Sequence, residues 1–196
     1  MGIEQYLDLI NGVNCMITKQ QRGIICKQIL RKGPRCNMLV FGLGRDSIIW
    51  QTVNPGFTLF VEHDTRWSRT MEKQINGIQV LNYEYLTQCE PTLPVHEQPP
   101  ISETELAAYP IPPELLARKW DIILIDGPTG FDNSCPGRML PIYWSSVISS
   151  NRCDIFVDDY MRPIEFTHTN KFLFPRYNQF RLFDERHKML WLKSET

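Results

Sequence analysis

Gly42, Gly44, Asp46 and Ser47 follow a short apolar run in "NMLVFGLGRDS", and Glu62 closes a second run, "FTLFVEHD", twenty residues beyond Gly42. Glycines at such a turn let backbone amides approach a ligand. An acid at the end of the next strand is placed to accept hydrogen bonds from ribose hydroxyls. The pair implies an adenosine-containing cofactor. A dinucleotide fingerprint needs a third glycine at position 47, where this chain has Ser47, and no G-x-x-x-x-G-K-[ST] loop is present to hold a triphosphate. S-adenosylmethionine has no pyrophosphate, and its zwitterionic end suits a polar turn carrying Asp46 and Ser47. A nicotinamide-dependent oxidoreductase is the rival enzyme reading, and Ser47 argues against it.

Two further apolar runs end in acids, "WDIILIDGP" at Asp126 and "CDIFVDDY" at Asp158 and Asp159. Methyl transfer from a sulfonium is an in-line displacement: the acceptor hydroxyl must be fixed near the methyl carbon and lose its proton as the bond forms. Asp126 is the candidate base or acceptor anchor and also borders the cofactor, while Asp159 is the second candidate acid. If Asp126 and Asp159 converge, a divalent cation can sit between them. The alternative is that they bind only water, the cofactor amine or Arg138. Arg138 and Arg162 are candidate clamps for an acidic acceptor, since a guanidinium matches a carboxylate with two parallel hydrogen bonds. Structural salt bridges are the competing reading for both. Asn82 and Tyr83 are placed to border the adenine, whereas Tyr143, Trp144, Trp50 and Trp67 read as core.

These residues need a scaffold that brings strand ends together. Ile17, Ile24, Ile25 and Ile29 share a helical face that Gly33-Pro34 ends. Near-continuous apolar runs at "NMLVF", "FTLFVE", "IQVLNYEY", "WDIILI" and "CDIFV" alternate with helical stretches, two of them opened by candidate caps at Asp46 or Ser47 and at Asp64 or Thr65. That alternation predicts an α/β fold with a mostly parallel sheet covered by helices on both faces, and the tail "KFLFPRYNQFRLFDERHKMLWLK" adds an antiparallel edge hairpin. The prolines between Cys89 and Pro113 predict a long surface insertion without helix or central strand, placed to act as a lid.

With 196 residues, 42% of them hydrophobic, the chain reads as a single domain over 1–196. A formal net charge of -1 without a basic stripe argues against a nucleic-acid partner. No apolar run reaches the ~18–20 residues of a membrane span, and the first residues lack the pattern of a signal peptide, so the chain reads as soluble and cytoplasmic. Scattered cysteines without a C-x-x-C read as reduced thiols, and the histidines have no ligand spacing.

Four ordered stretches, "CNMLVFGLGRDSIIWQTVNPG", "TLFVEHDTRW", "WDIILIDGPTGF" and "PGRMLPIYWSSV", resemble the motifs of the plant glucuronoxylan 4-O-methyltransferase family, the irregular-xylem-like domain of polysaccharide biosynthesis. The resemblance runs from about Ile24 to Pro163. It implies a Rossmann-like methyltransferase fold, S-adenosyl-L-methionine as cofactor, and a glucuronic acid side group methylated on its 4-hydroxyl. Plant members resemble "HDVDR" after the fifth strand, where this chain has "DDYMR": Asp159 matches the first aspartate, Met161 replaces the second and Arg162 is retained. Plant members also carry a Golgi membrane anchor. A microbial relative with a smaller carboxylate-bearing acceptor, or a catalytically silent scaffold, is the alternative that these departures suggest.

Overall fold

A computed structural model of the chain describes residues 2–88, 101–183 and 188–193. After a 3-10 turn at Ile3–Tyr6, helices α1 (Leu7–Gly12) and α2 (Lys19–Lys32) precede β1 (Asn37–Phe41). Thr18 and Gln21 cap α2 reciprocally, each side chain bonding the other's backbone amide, and Gly33 ends the helix at φ 84°. The units α3 (Ser47–Val53), β2 (Phe57–Glu62), α4 (Thr65–Gln74) and β3 (Gln79–Asn82) follow. Next come α5 (Glu103–Ala107), α6 (Pro113–Leu116), β4 (Trp120–Ile125), α7 (Met139–Ile148), β5 (Ser149–Val157), α8 (Pro163–Phe172), β6 (Phe180–Phe183) and β7 (Met189–Leu192).

The strands form one sheet in the order β3-β2-β1-β4-β5-β7-β6. Pairing is parallel from β3 through β5, and β7 runs antiparallel to both β5 and β6. The expected terminal hairpin is therefore present, with its second strand inserted next to β5 and its first left at the edge. Alternate strand residues face opposite sides. Leu39, Phe41, Ile123, Ile125, Ile155 and Val157 pack under α5 to α8. Met38, Val40, Phe60, Ile122, Leu124 and Phe156 pack under α1 to α4. Both faces are thus covered, which explains why the central strands carry no polar alternation.

The proline-rich segment departs from expectation. Residues 89–100 lie outside the described residues, but the remainder contains helix. Ser102 and Glu105 form a capping box that starts α5, and Pro113 occupies the first turn of α6, where its missing N–H costs nothing. Leu106 and Leu115 are fully buried in the core beside α7, and no described residue of this segment lines either cavity below. Its described part therefore packs the sheet face instead of forming a lid.

His168 of α8 anchors that segment. Its Nδ1 bonds the Ile164 carbonyl at 2.8 Å, so Nε2 is left to accept from the Ile101 amide at 3.2 Å, which requires a neutral ring. Burial holds the imidazole below its ordinary range. Folding thus binds fewer protons than the unfolded chain. This contribution is present above the unfolded value of ~6.5 and is lost as pH falls through the folded value. Melting temperatures at pH 7.5 and 5.5 should differ less in His168→Gln than in the parent protein; an equal difference would show that the ring does not carry the anchor.

Strand order reverses between β1 and β4, and the carboxyl ends there are held in register. Gly42 N–H donates to Val61 O at 2.8 Å, Asp126 N–H to Phe41 O at 2.9 Å and Asp158 N–H to Ile125 O at 3.0 Å. Backbone approaches closely at this point. A Cβ on Gly127 would stand 2.7 Å from Gly42 Cα, and one on Gly42, at φ 102°, would meet Gly127 N at 3.0 Å. Gly127→Ala is expected to cost about 1–3 kcal/mol through overpacking; an unchanged urea midpoint would contradict this.

Candidate functional site

Two cavities open at the carboxyl ends of the parallel strands. One, of about 340 Å³, is lined by Gly42, Leu43 and Gly44 of the turn after β1, by Glu62, His63, Asp64 and Trp67 around the start of α4, and by the turn Asp126 to Thr129. The other, of about 430 Å³, is bounded by the Asn14–Ile17 segment, by Gly44, Arg45 and Asp46, by Asp126, Thr129 and Phe131, and by Arg138, Asp158, Asp159 and Arg162. Gly44, Asp126 and Thr129 belong to both, so the cavities adjoin.

The turn after β1 is built differently from the sequence expectation. The close neighbour of Gly42 is the Gly127 backbone, and a side chain on Gly44 would collide with the Asp46 carboxylate. Gly42 is therefore required by the protein's own backbone packing, whereas a side chain at Gly44 would displace the Asp46 carboxylate. Asp46 precedes α3 in helical conformation and makes no side-chain cap bond. Its carboxylate is 3% exposed, lines the larger cavity and has Oδ2 without a hydrogen-bond partner. Burial, together with the Asp158 charge, pushes Asp46 up to about 6. Ser47 is buried within α3 and lines neither cavity.

Glu62 stands at the wall of the smaller cavity, and its carboxylate organises the loops around it. Oε2 accepts from Leu43 N–H at 2.9 Å, and Oε1 accepts from the amides of His63 and Asp64 at 2.8 Å each. The His63 imidazole lies 2.9 Å from Oε1. Burial alone would raise Glu62, but the bonds from His63 and the Asp64 amide hold it below the usual range. Asp64 caps α4 as expected, accepting from Arg66 and Trp67 amides. Trp67 packs against the buried cluster, as its core signature predicts, and it also lines this cavity and donates through Nε1 to Leu43 O. Asn82 accepts from Ser68 at 2.7 Å, and Tyr83 packs edge-on against Trp144; neither lines these two cavities. Glu62→Ala is expected to lower stability by more than about 2 kcal/mol, because it strips acceptors from backbone amides. Denaturant titration with an unchanged midpoint would refute that.

Acidic groups converge on the larger cavity. Asp126 and Asp158 follow Ile125 and Val157, which pair in register, so the two acids leave neighbouring strand ends side by side, and Asp158 Oδ1 has no partner. Burial and mutual repulsion, with Asp46 adding to it, place Asp126 well above the usual carboxylate range. Arg138, 4% exposed at the start of α7, ties these strand ends together. Its Nε donates to Pro128 O at 3.3 Å, Nη1 to Asp158 O at 2.7 Å, and Nη2 to Asp126 O at 2.9 Å. Nη2 also reaches Asp126 Oδ1 at 3.4 Å and Asp159 Oδ2 at 3.2 Å, and Nε lies 3.8 Å from the fully buried Glu165.

The expected divalent cation between Asp126 and Asp159 is thereby corrected. A guanidinium nitrogen stands between these two carboxylates, and among the described residues no group of three His, Cys, Asp or Glu side chains is arranged to hold a metal ion. Asp159 sits at φ 52°, a left-handed conformation that aims its carboxylate at both Arg138 and Arg162, the latter at 2.9 Å. Arg162 keeps a third of its side chain exposed on the cavity wall. Of the two arginines, Arg162 faces the cavity mouth while Arg138 is spent on the protein. The mouth is apolar, with Phe131 65% and Met16 62% exposed.

Sequence reasoning missed several contributors. Asp158 was visible as one of two adjacent acids, but only the structure distinguishes the one beside Asp126 from the one beside Arg162. Glu165, the Asn14–Ile17 wall and the buried Arg22, which donates to Val13 O at 2.6 Å and to Cys15 Sγ at 2.7 Å, had no motif to mark them. The described cysteines Cys15, Cys26, Cys36, Cys135 and Cys153 are free thiols. Among the described residues no helix is long and apolar enough to cross a membrane.

Comparison with solved structures agrees with this architecture. A precorrin-6y C5,15-methyltransferase from Geobacter metallireducens superposes with a TM-score of 0.53 at 14% identity, over 91% of this chain and 90% of that one. A TehB-like SAM-dependent methyltransferase from Corynebacterium glutamicum gives 0.51 at 11% identity, over 98% and 96%. At these identities the likeness establishes the methyltransferase Rossmann-like fold. In sequence, the chain is 33% identical to glucuronoxylan 4-O-methyltransferase 3 of Arabidopsis thaliana over 188 residues, 86% of this chain and 63% of that protein. It is 32% identical to arabinogalactan O-methyltransferase 2 of the same plant over 174 residues, 78% of this chain and 60% of that protein. The chain thus spans less than two thirds of either relative. The profile of the IRX15/IRX15L/GXM family matches residues 23–183, and with these relatives alongside it, the protein belongs to that family.

Proposed function

We propose that the protein is an S-adenosylmethionine-dependent O-methyltransferase acting on a sugar or small acceptor that bears a carboxylate, with a uronic acid as the favoured case. The observation that carries this reading is the pair of adjoining cavities, which meet at Gly44, Asp126 and Thr129. The residues fit such a cofactor. The smaller cavity has Glu62 and the Trp67 indole in its lining, which suit a nucleoside, and the larger has the unpaired oxygens of Asp46 and Asp158, which suit a cation. Gly42, Gly44, Asp46 and Glu62 would hold the cofactor, with Ser47 supporting the turn from beneath.

When bound, S-adenosylmethionine supplies a methyl group on a sulfonium, open to in-line displacement. Asp126, common to both cavities, accepts the proton of the acceptor hydroxyl. Arg138 and Asp159 are positioning residues: one fixes the Asp126 backbone and carboxylate, the other bridges Arg138 to Arg162. Arg162 clamps the acceptor carboxylate, and Phe131 and Met16 cover the apolar face of its ring. Neutralising the acceptor's charge in this way offsets its repulsion from Asp126 and Asp158.

The test is incubation with methyl-labelled S-adenosylmethionine and glucuronic-acid-bearing oligosaccharides, beside the same oligosaccharides with the acid reduced to the alcohol. Label should pass to the acidic set, and Arg162→Ala should raise the apparent KM tenfold or more with kcat less affected. Equal labelling of the reduced set would remove the carboxylate from the reading, and no labelling of any acceptor would remove the activity.

A further inference from the structure

Asp46 from the start of α3, Asp126 after β4, and Asp158 and Asp159 after β5 face one space together with Arg45, Arg138, Arg162 and the Cys15 thiol, with Arg22 of α2 near Asp46. Of these charged groups, Asp46, Asp158, Arg22 and Arg138 are buried. Asp126 and Asp158 leave neighbouring strand ends paired in register and line the same cavity, and two carboxyl groups so placed resist being ionised together. Asp46 Oδ2 and Asp158 Oδ1 are buried and without hydrogen-bond partners, so both can accept from a cationic ligand.

We infer that Asp158 is a positioning residue that shares a proton with Asp126, and that a cationic ligand entering the larger cavity expels this proton, leaving Asp126 ionised to receive the next one from the acceptor hydroxyl. The inference rests on the cofactor reading above and extends it: binding the cofactor arms the base. The balance is closed. One proton passes from the Asp126 and Asp158 pair to solvent as the cation enters, and the acceptor's proton later takes its place on Asp126 as the oxygen gains the methyl group. Burial and the facing charges of Asp158 and Asp46 raise Asp126, while Arg138 opposes them, so the pair holds a proton more readily than ordinary carboxylates until the field changes.

Isothermal titration without acceptor tests this, using S-adenosylmethionine and the uncharged-sulfur product S-adenosylhomocysteine in two buffers of different ionisation enthalpy. S-adenosylmethionine should release protons, approaching about one per site as pH falls below the pKa of the pair, and its Kd should tighten about tenfold per pH unit as pH rises over that range. S-adenosylhomocysteine should release fewer. Asp158→Asn should abolish most of the release and move the acid limb of the pH–rate profile to lower pH. Binding of S-adenosylmethionine with buffer-independent enthalpy and a flat pH dependence would overturn the inference while leaving the cofactor reading intact. That measurement decides the matter even if Asp158→Asn does not fold. Failure of both nucleosides to bind is a different result, which removes the cofactor reading and this inference with it.

Discussion

Asp126→Asn is expected to lower methyl transfer by about 10²–10⁴-fold, the usual worth of a positioned acid–base group, while S-adenosylhomocysteine binding changes by only a few-fold. The substitution keeps the shape of the side chain and its contact with Arg138 Nη2, but it removes the group that takes the hydroxyl proton. Single-turnover rates with saturating cofactor isolate that step from binding. A variant with parental rates would move the base elsewhere, and the cavity offers Asp158 as its nearest alternative.

Arg138→Ala is expected to destabilise the fold by about 3–5 kcal/mol, the cost of leaving buried charge uncompensated. For a chain of this size that is a fall in Tm of roughly 6–20 °C. Glu165 is fully buried with neither carboxylate oxygen hydrogen-bonded and has Nε of Arg138 as its nearest positive charge, and the carbonyls of Asp126, Pro128 and Asp158 lose their donors in the same change. The cost should shrink toward acid pH. Burial raises Glu165, Asp126 and Asp158, so these groups take up protons readily once the guanidinium is gone. A loss below about 1 kcal/mol, or one that grows on acidification, would show that the carboxylates do not depend on Arg138.

The scaffold was legible because its determinants are local. Five apolar runs separated by helical stretches define a parallel sheet, and the reversal of strand order fixes which strand ends meet. Glu62, Asp126 and Asp158 arrive at one end because their strands are in register, Val61 and Ile125 flanking Phe41. The helix in the proline-rich segment was also written in the chain, as Ser102 three residues before Glu105, but the prolines around it carried more weight than one capping box. Helical spacing marks Trp67 as core, and it does pack against the buried cluster, while the Leu43 carbonyl holds its Nε1 at the turn after β1, a second role that spacing does not reveal.

What balances the acids was not legible. The approach of Asp126 to Asp159 could be foreseen, but a metal ion and a guanidinium answer the same electrostatic need. Only the folded chain shows Arg138, twelve residues after Asp126 in an irregular loop, filling it. The same applies to Asp158 and Asp159, adjacent in sequence and separated in role by one left-handed residue.

The most direct test is a crystal structure of the protein grown with S-adenosylhomocysteine. The ribose should lie beside Glu62 and Trp67, with the amino-acid end reaching past Gly44 toward Asp46 and Asp126. A nucleoside bound away from the two adjoining cavities, or crystals that exclude it at millimolar concentration, would contradict the account.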